Sequence, residues 1–203
     1  MEQSVNQITL RGTLMNLPQF SHENHEKRFF RFTVEVPRLS GTVDLLPVVA
    51  EESVLNTIDL SGGEMLYIRG QIRSYNQRVG GARRLLIFVF AQSIAAEDGE
   101  PMNDVQLEGI LCREPNFRRT PLGREICDVM LAVPRAFHRA DYLPCILWGR
   151  TAQEGARCHS RDTIRISGRL QSRGYTKLTE DGPEERTAYE VSALTATFPD
   201  DSL

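Results

Sequence analysis

Aromatic side chains and arginines alternate in one stretch of the chain, between positions 131 and 150. The six residues that set this pattern are Phe137, Tyr142, Trp148, Arg135, Arg139 and Arg150. Flat rings stack on the bases of an unpaired strand, and cationic side chains bind its phosphates. The stretch is therefore predicted to contact a single-stranded nucleic acid. Trp148 is the only tryptophan of the protein, so it would also report such contact by fluorescence.

Residues that could support catalysis or metal binding are scattered along the chain. The four histidines and four cysteines do not follow the spacing of a metal site, and the cysteines form no Cys-x-x-Cys pair. Neither a Gly-x-Ser-x-Gly motif nor a phosphate-binding loop occurs. Cys127 and Cys145 fall in apolar strand patterns, where a free thiol behaves as a small hydrophobic group. We expect a binding protein that is not an enzyme and has no metal, cofactor or disulfide.

The composition is that of an ordinary soluble protein, with 203 residues, 40% hydrophobic and 25% charged. No apolar run approaches the length of about 20 residues that a membrane-spanning helix needs, and no signal peptide is visible at the start. We therefore expect a cytoplasmic protein with no membrane partner. The net charge is −3, but basic residues outnumber acidic ones between Asn103 and Leu178.

The chain contains an internal repeat, which shows how these residues are positioned. Val36–Arg38 and Asp44–Pro47 recur as Val133–Arg135 and Asp141–Pro144 at one constant offset. Such self-similarity indicates two copies of one structural unit.

Each copy is predicted to contain five strands, with a short helix after the third. The predicted strands are 6–15, 28–36, 42–50, 64–75 and 83–94 in the first copy, and 103–111, 125–133, 141–148, 163–172 and 187–197 in the second. The predicted helices lie within 51–60 and 151–158, a loop spans 16–27, and Gly80–Gly81 forms a hairpin turn. Glycines inside strands, Gly12 in the first and Gly70 in the fourth, with Gly109 and Gly168 at the corresponding places of the second copy, predict bends or bulges. The fold class is therefore all-β, with two tandem OB-folds, which are five-stranded Greek-key barrels.

This organisation divides the chain into two domains. We expect an N-terminal OB-fold over residues 1–96, a linker over 97–102, a C-terminal OB-fold over 103–198 and a short acidic tail over 199–203. The second OB-fold is expected to be the main binding surface, and the first a degenerate scaffold or auxiliary.

Along nearly its whole length, the second copy resembles the bacterial single-stranded DNA-binding protein family. The motifs that carry the resemblance are, in chain order, Asn103–Gly109, Glu114–Pro115, Leu131–Val133, Leu147–Glu154 and Ile166–Tyr175. Two tandem copies resemble the branch of that family in which two chains pair to present four OB-folds. The resemblance implies sequence-tolerant binding of single-stranded DNA in replication, recombination or repair, by a homodimer.

The resemblance also implies which residues bind. The four base-stacking aromatics would be Phe137, Tyr142, Trp148 and Tyr175. Apart from the resemblance, the cations that we expect to bind phosphates are Arg118, Arg135, Arg150, Arg169, Arg173 and Lys177. At the repeat offset the first copy has Ser40, Leu45, Glu51 and Gln77 in place of the four aromatics, although Tyr75 lies close to the last of them.

Two alternatives remain open at this stage. An OB-fold that docks a replication or recombination partner would fit the net negative charge and the substituted first copy, and RNA is a further possible ligand. The family's flexible tail with an acidic tip is not recognisable at Phe198–Leu203. We therefore do not expect partner recruitment by that route.

Overall fold

The computed structural model describes residues 5–79, 82–179 and 182–198. The first half contains β1 (Asn6–Leu14), β2 (Gln19–Asn24), β3 (Lys27–Pro37), β4 (Val43–Glu51), α1 (Glu52–Leu55), β5 (Met65–Val79) and β6 (Ala82–Ala96). The second half contains β7 (Met102–Leu111), β8 (Asn116–Arg119), β9 (Glu125–Arg135), β10 (Arg139–Trp148), α2 (Gly149–Gly155), β11 (Thr163–Thr179) and β12 (Gly182–Thr197). The predicted Gly80–Gly81 turn and the acidic tail from 199 to 203 lie outside the described residues.

Each half closes into a five-stranded barrel. In the first, the strands follow the order β3-β4-β6-β5-β1, and β1 returns to pair with β3. In the second, the order is β9-β10-β12-β11-β7, and β7 returns to pair with β9. The β4–β6 and β10–β12 pairings are parallel, and the other pairings within the barrels are antiparallel. This closure confirms the predicted fold class of two tandem OB-folds.

Two short strands occupy segments without a strand signal in the sequence. The segment 16–27 was predicted to be a loop, but β2 forms within it and pairs with β3 at the edge of the sheet. The strand β8 forms in the same way beside β9. Every residue of both strands is exposed, so neither needs the alternation of apolar and polar residues that marks a half-buried strand.

Alternating inward side chains fill the two barrels. Leu10, Ile68 and Leu46 are fully buried in the first barrel, and equivalent positions are buried in the second. β1 pairs with β5 through Gly12 without a register shift, but the register does shift at Gly70 and Gly168, which confirms the bulges predicted at those two positions. A Cβ added to either would lie about 2.1 or 2.2 Å from a carbonyl oxygen of the next strand.

The two barrels join through an antiparallel pairing of β1 with β7, in which Asn6 lies opposite Leu107 and Arg11 opposite Met102. This pairing makes one continuous twelve-stranded sheet of the described strands. No helix of the described residues is long and apolar enough to span a membrane.

Two buried aspartates also hold the barrels together. Asp44 of the first barrel accepts a 2.7 Å hydrogen bond from the backbone N–H of Ser172 in the second. The same carboxylate accepts hydrogen bonds from Arg38, which raise the pKa of that guanidinium. Ser172 in turn accepts a 3.2 Å bond at Oγ from the N–H of Leu45. We refer to these contacts as the Asp44 clamp.

The Asp141 clamp repeats this arrangement in the opposite direction. Asp141 of the second barrel accepts a 2.7 Å bond from the N–H of Ser74 in the first. The N–H of Tyr142 donates a 2.7 Å bond to Ser74 Oγ. Two guanidinium groups share this carboxylate, at 3.2 Å for Arg73 and 3.3 Å for Arg135. Each barrel therefore fixes a strand of the other through a nearly symmetric set of bonds.

Candidate nucleic-acid interface

The outer face of the second barrel presents two of the predicted stacking residues. Side chains alternate along β10, so that Leu143, Cys145 and Leu147 point into the core and are buried. Tyr142 and Trp148 point outward from the same strand and are 45% and 36% exposed. Their even spacing therefore places both rings on one face.

Trp148 is held in place by its neighbour in β12. The indole Nε1 donates a 3.0 Å hydrogen bond to Ser192 Oγ. The next residue, Gly149, has a φ of +54°, in the left-handed region that glycine adopts without strain, and α2 begins there. The edge of the indole is thus fixed while the side chain stays partly exposed.

A groove of about 980 Å³ runs past this tryptophan, and we call it the Trp148 groove. Four arginines of the second barrel line it: Arg118, Arg124, Arg169 and Arg173. Three residues of the first barrel also line it: Arg38, Ser40 and Thr42. Sequence reasoning missed Arg124 and the first-barrel residues. The latter reach the groove only because of how the barrels pack, which no motif encodes.

The cations of the Trp148 groove are partly neutralised by carboxylates. Arg118 forms two bonds with Asp128, of 2.5 and 3.2 Å, and this interaction raises the pKa of Arg118. The Nε atom of Arg173 lies 3.4 Å from Glu190 Oε1. Among the described residues, Arg169 Nε is buried without a hydrogen-bond partner. The Nε atoms of Arg11 and Arg186, which do not line the groove, share this property, so it does not distinguish the groove.

The predicted residues of β11 extend the same face beyond the barrel. Alternation puts Arg169, Arg173, Tyr175 and Lys177 on one side of the strand, opposite in parity to the buried Leu170. Tyr175 is 37% exposed and pairs with a residue of β12 in the hairpin. The hairpin therefore carries a ring and a cation away from the groove along one surface.

Three predicted site residues lie elsewhere. Arg150 is on α2, where its side chain is 90% exposed and pairs with Glu154 at 2.9 Å. Arg135 belongs to the Asp141 clamp. Phe137 lies in the turn between β9 and β10 and is 92% exposed. That turn borders the first barrel, since Arg135 lines a groove together with Gln71 of β5.

No cluster of three or more histidine, cysteine, aspartate or glutamate side chains in the described part of the chain could hold a metal ion. The groove is lined by the ring of Trp148, by guanidinium groups, hydroxyls and apolar side chains, and by the carboxylate of Glu190. Two closed barrels, one of them with an outer groove lined by a tryptophan and several arginines, define an OB-fold protein of the nucleic-acid-binding class.

Comparison with known proteins identifies the family. Residues 102–199 match the model of the Single-strand binding protein family. Single-stranded DNA-binding protein B of Bacillus subtilis (strain 168) is 37% identical over 105 residues, which cover 48% of this chain and 90% of that protein. The Single-stranded DNA-binding protein of Bacillus cereus is 32% identical over 100 residues, which cover 46% of this chain and 56% of that protein. The chain belongs to the single-strand binding protein family, as its motifs predicted.

A solved structure extends the likeness to both barrels. The wild-type single-stranded DNA binding protein from Thermus aquaticus superimposes with a TM-score of 0.79, over 97% of this chain and 94% of that one. The sequences are 22% identical, so the comparison establishes the fold. The tandem arrangement of OB-folds is therefore shared with that protein.

Proposed function

We propose that this protein binds single-stranded DNA with little sequence preference, and that the Trp148 groove is its main binding surface. The observation that carries the proposal is the partly exposed, hydrogen-bonded indole of Trp148 in a groove lined by five arginines. A base stacked on such a ring contributes about 1–3 kcal/mol, whichever base it is. Tyr142 on the same strand, and Tyr175 on the hairpin, provide further rings along one face.

Phosphates of the bound strand would contact the groove arginines. Arg169 and Arg173 face outward from β11, and Arg118 lies across the groove on β8. Asp128 and Glu190 occupy two of these cations in the free protein, so phosphates must compete with them. Each phosphate neutralised contributes a slope of about −0.7 to the dependence of log affinity on log salt. Binding should therefore weaken steeply as salt rises.

We assign domains at 1–96 and 103–198, with 97–102 as a linker and 199–203 as a tail. The end of β6 at Ala96 supports the first inner limit, and β7 begins at Met102, one residue before the second. In this assignment the first barrel also serves the groove of the second, through Ser40 and Thr42. The biological role that follows is protection of single strands in the cytoplasm during replication, recombination or repair.

The assembly we propose is a homodimer with four OB-folds. Met102 and Ile110 point outward near the two ends of β7, Met102 where β7 pairs with β1 and Ile110 beyond that pairing, and are 36% and 42% exposed. A second copy packed there would remove both from water. Sedimentation equilibrium should give twice the chain mass, and Ile110→Glu should shift the protein toward a monomer. A monomeric wild-type protein would contradict the dimer and leave the binding proposal intact.

Fluorescence of Trp148 tests the binding proposal directly. Adding oligo-dT at low salt should quench the emission of this single tryptophan, and raising the salt should restore it. A duplex of the same length should quench little, because its bases are already stacked on one another, and oligo-rU measures any preference for RNA. If oligo-dT at low salt produces no quenching and no gel shift, the proposal is overturned and the protein-docking alternative is favoured.

A further inference from the structure

The first barrel carries aromatic side chains on its outer face, but on different strands from the second. In the second barrel, Trp148 of β10 lies opposite Ile126 of β9. At the equivalent pair in the first barrel, Glu51 of β4 lies opposite Phe29 of β3. The aromatic ring has therefore moved to the other member of the same cross-strand pair. Aligning the two copies at the repeat offset pairs Trp148 with Glu51 and therefore does not reveal Phe29.

A second ring accompanies Phe29. Ser192, which accepts the indole hydrogen bond in the second barrel, lies opposite Arg169 in the β11–β12 ladder. The equivalent position in the first barrel is Phe90, opposite Gln71. The rings of Phe29 and Phe90 lie 6.1 Å apart at an angle of 44°. The first barrel thus has a pair of rings where the second has a tryptophan and a serine.

Further side chains extend this pair, and we call the set the Phe29–Phe90 platform. The ring of His22 stacks on Phe29 at 4.8 Å, and the guanidinium of Arg73 lies 5.7 Å from the ring centre of Phe90. Tyr75, two residues beyond Arg73 on the same face of β5, is 60% exposed. Rings with an adjacent guanidinium are the combination on which unpaired bases stack.

Phe29 and Phe90 are not core residues in the strand pattern. In β3 the inward positions belong to Phe32 and Val34, which are buried, and Phe29 has the opposite parity. In β6 the inward position next to Phe90 is Val89, which is fully buried. The two rings, each partly buried, therefore lie on the outer face of the barrel and outside its core.

The second barrel supplies positive charge to this platform. A groove of about 550 Å³ is lined by Gln71 and Arg73 of the first barrel and by Arg135 and Ala136 of the second. Arg73 and Arg135 share the single carboxylate of Asp141, which leaves an excess of positive charge beside the rings. Burial lowers the pKa of Arg73, and the nearby charge of Arg135 lowers it further.

We propose that the Phe29–Phe90 platform is a second stacking surface for single-stranded DNA, and that Phe137 of the second barrel belongs to it. Phe137 follows Ala136 on the rim of this groove and is 92% exposed. The proposal rests on the function proposed above, because the same strand would contact both barrels. Phosphates would contact Arg73 and Arg135 while bases stack on the rings.

A relocated tryptophan tests the platform. In a Trp148→Phe protein, Phe29→Trp places the only tryptophan on the first barrel, and oligo-dT should quench its emission. The matched control is Phe20→Trp in the same background, since Phe20 packs edge-on against Phe30 on the other side of β3. Quenching at position 29 and not at 20 supports the platform. No quenching at position 29, or equal quenching at both positions, overturns it.

A second measurement separates this inference from the proposed function. The variant for this measurement keeps Trp148 and combines Phe29→Leu with Phe90→Leu. Its quenching by an oligo-dT of about 10 nucleotides should be unchanged, because one OB-fold binds about 4–16 nucleotides and the Trp148 groove can hold the whole strand. Affinity for an oligo-dT of about 35 nucleotides should fall roughly tenfold, the loss of about one stacked base. Phe20→Leu should change neither, and thermal unfolding checks the fold of each variant.

Wild-type affinities for both oligonucleotides in the Phe29→Leu, Phe90→Leu protein would overturn the platform while the Trp148 groove stands. Failure of the wild-type protein to show Trp148 quenching with either oligonucleotide would instead remove the proposed function itself, and the platform with it.

Discussion

The backbone N–H of Tyr142, in the second barrel, donates a 2.7 Å hydrogen bond to the side-chain oxygen of Ser74, in the first. The neighbouring carboxylate of Asp141 accepts a hydrogen bond from the backbone N–H of the same serine. A residue of the first barrel therefore fixes the position of a proposed stacking residue in the second. The first barrel is part of the binding surface even where it contributes no ring.

Ser74→Ala should weaken both the fold and DNA binding. Losing the acceptor for the Tyr142 N–H should lower the free energy of unfolding by about 1 kcal/mol. Affinity for oligo-dT should fall severalfold as β10 loosens. Ser172→Ala removes the equivalent bond to Leu45, which has no ring, and also the 3.3 Å bond from Ser172 Oγ to Asp44, so it should cost at least as much stability with a smaller loss of affinity. Equal losses of affinity in the two variants would contradict the positioning role of Ser74.

Asp141→Asn should destabilise the protein more than Ser74→Ala. The carboxylate is fully buried and balances two guanidinium groups, Arg73 and Arg135. Breaking a buried ion pair by removing one partner costs about 3–5 kcal/mol. Chemical denaturation measures the difference, and a loss no larger than that of Ser74→Ala would show that the charge of Asp141 is unimportant.

Trp148→Ala should lower the affinity for oligo-dT about tenfold to a hundredfold, because a base loses its stacking partner. Trp148→Phe keeps a ring at the same position and should lose much less. Fluorescence anisotropy of a labelled oligonucleotide measures both, since neither variant retains the intrinsic probe. Ser192→Ala removes only the bond to the indole nitrogen and should have an intermediate effect. Wild-type affinity in all three variants would argue against stacking on Trp148.

Arg173→Gln and Arg150→Gln should differ, although both positions match family motifs. Arg173 lines the Trp148 groove, so its loss should reduce affinity and flatten the salt slope by about 0.7. Arg150 is paired with Glu154 on α2, outside the groove, and its loss should change neither. Glu190→Gln should strengthen binding, because it removes the carboxylate beside Arg173. An effect of Arg150→Gln equal to that of Arg173→Gln would contradict this placement.

Phe137→Gly should separate stability from binding. Phe137 and His138 have φ values of +60° and +54°, a conformation that costs a bulky residue on the order of 1 kcal/mol or more. Glycine relieves this strain, so the melting temperature should rise or hold. Affinity for long oligo-dT should fall, while quenching of Trp148 by a short oligonucleotide should not change. A lower melting temperature would show that the Phe137 ring stabilises the turn instead.

The sequence predicted the two barrels well because closed barrels depend on local patterns. Alternating apolar residues and mid-strand glycines occur in both copies, and Gly70 and Gly168 both mark real register shifts. The edge strands β2 and β8 escaped prediction because both faces of each are exposed. Because neither face is buried, their sequences do not need to alternate between apolar and polar residues.

The candidate site was less predictable, because it depends on contacts between strands and between barrels. Tyr142 and Trp148 could be placed together, since even spacing on one strand determines their face. Phe137 lies in a turn beside the first barrel, away from the Trp148 groove. This placement follows from the packing of the barrels, which no local sequence pattern predicts. The Phe29–Phe90 platform was missed because the repeat offset compares Trp148 only with Glu51. The aromatic ring of the first barrel lies on the neighbouring strand, at Phe29.

Residues 97–101 join the two barrels covalently, between β6 and β7, and this determines how such a surface can change in evolution. In an assembly of identical single-barrel chains, every substitution appears at all equivalent positions at once. Here the two barrels are one polypeptide, and a mutation alters one barrel without altering the other. Trp148 and Glu51 could therefore diverge, and selection can adjust each half of the binding surface separately.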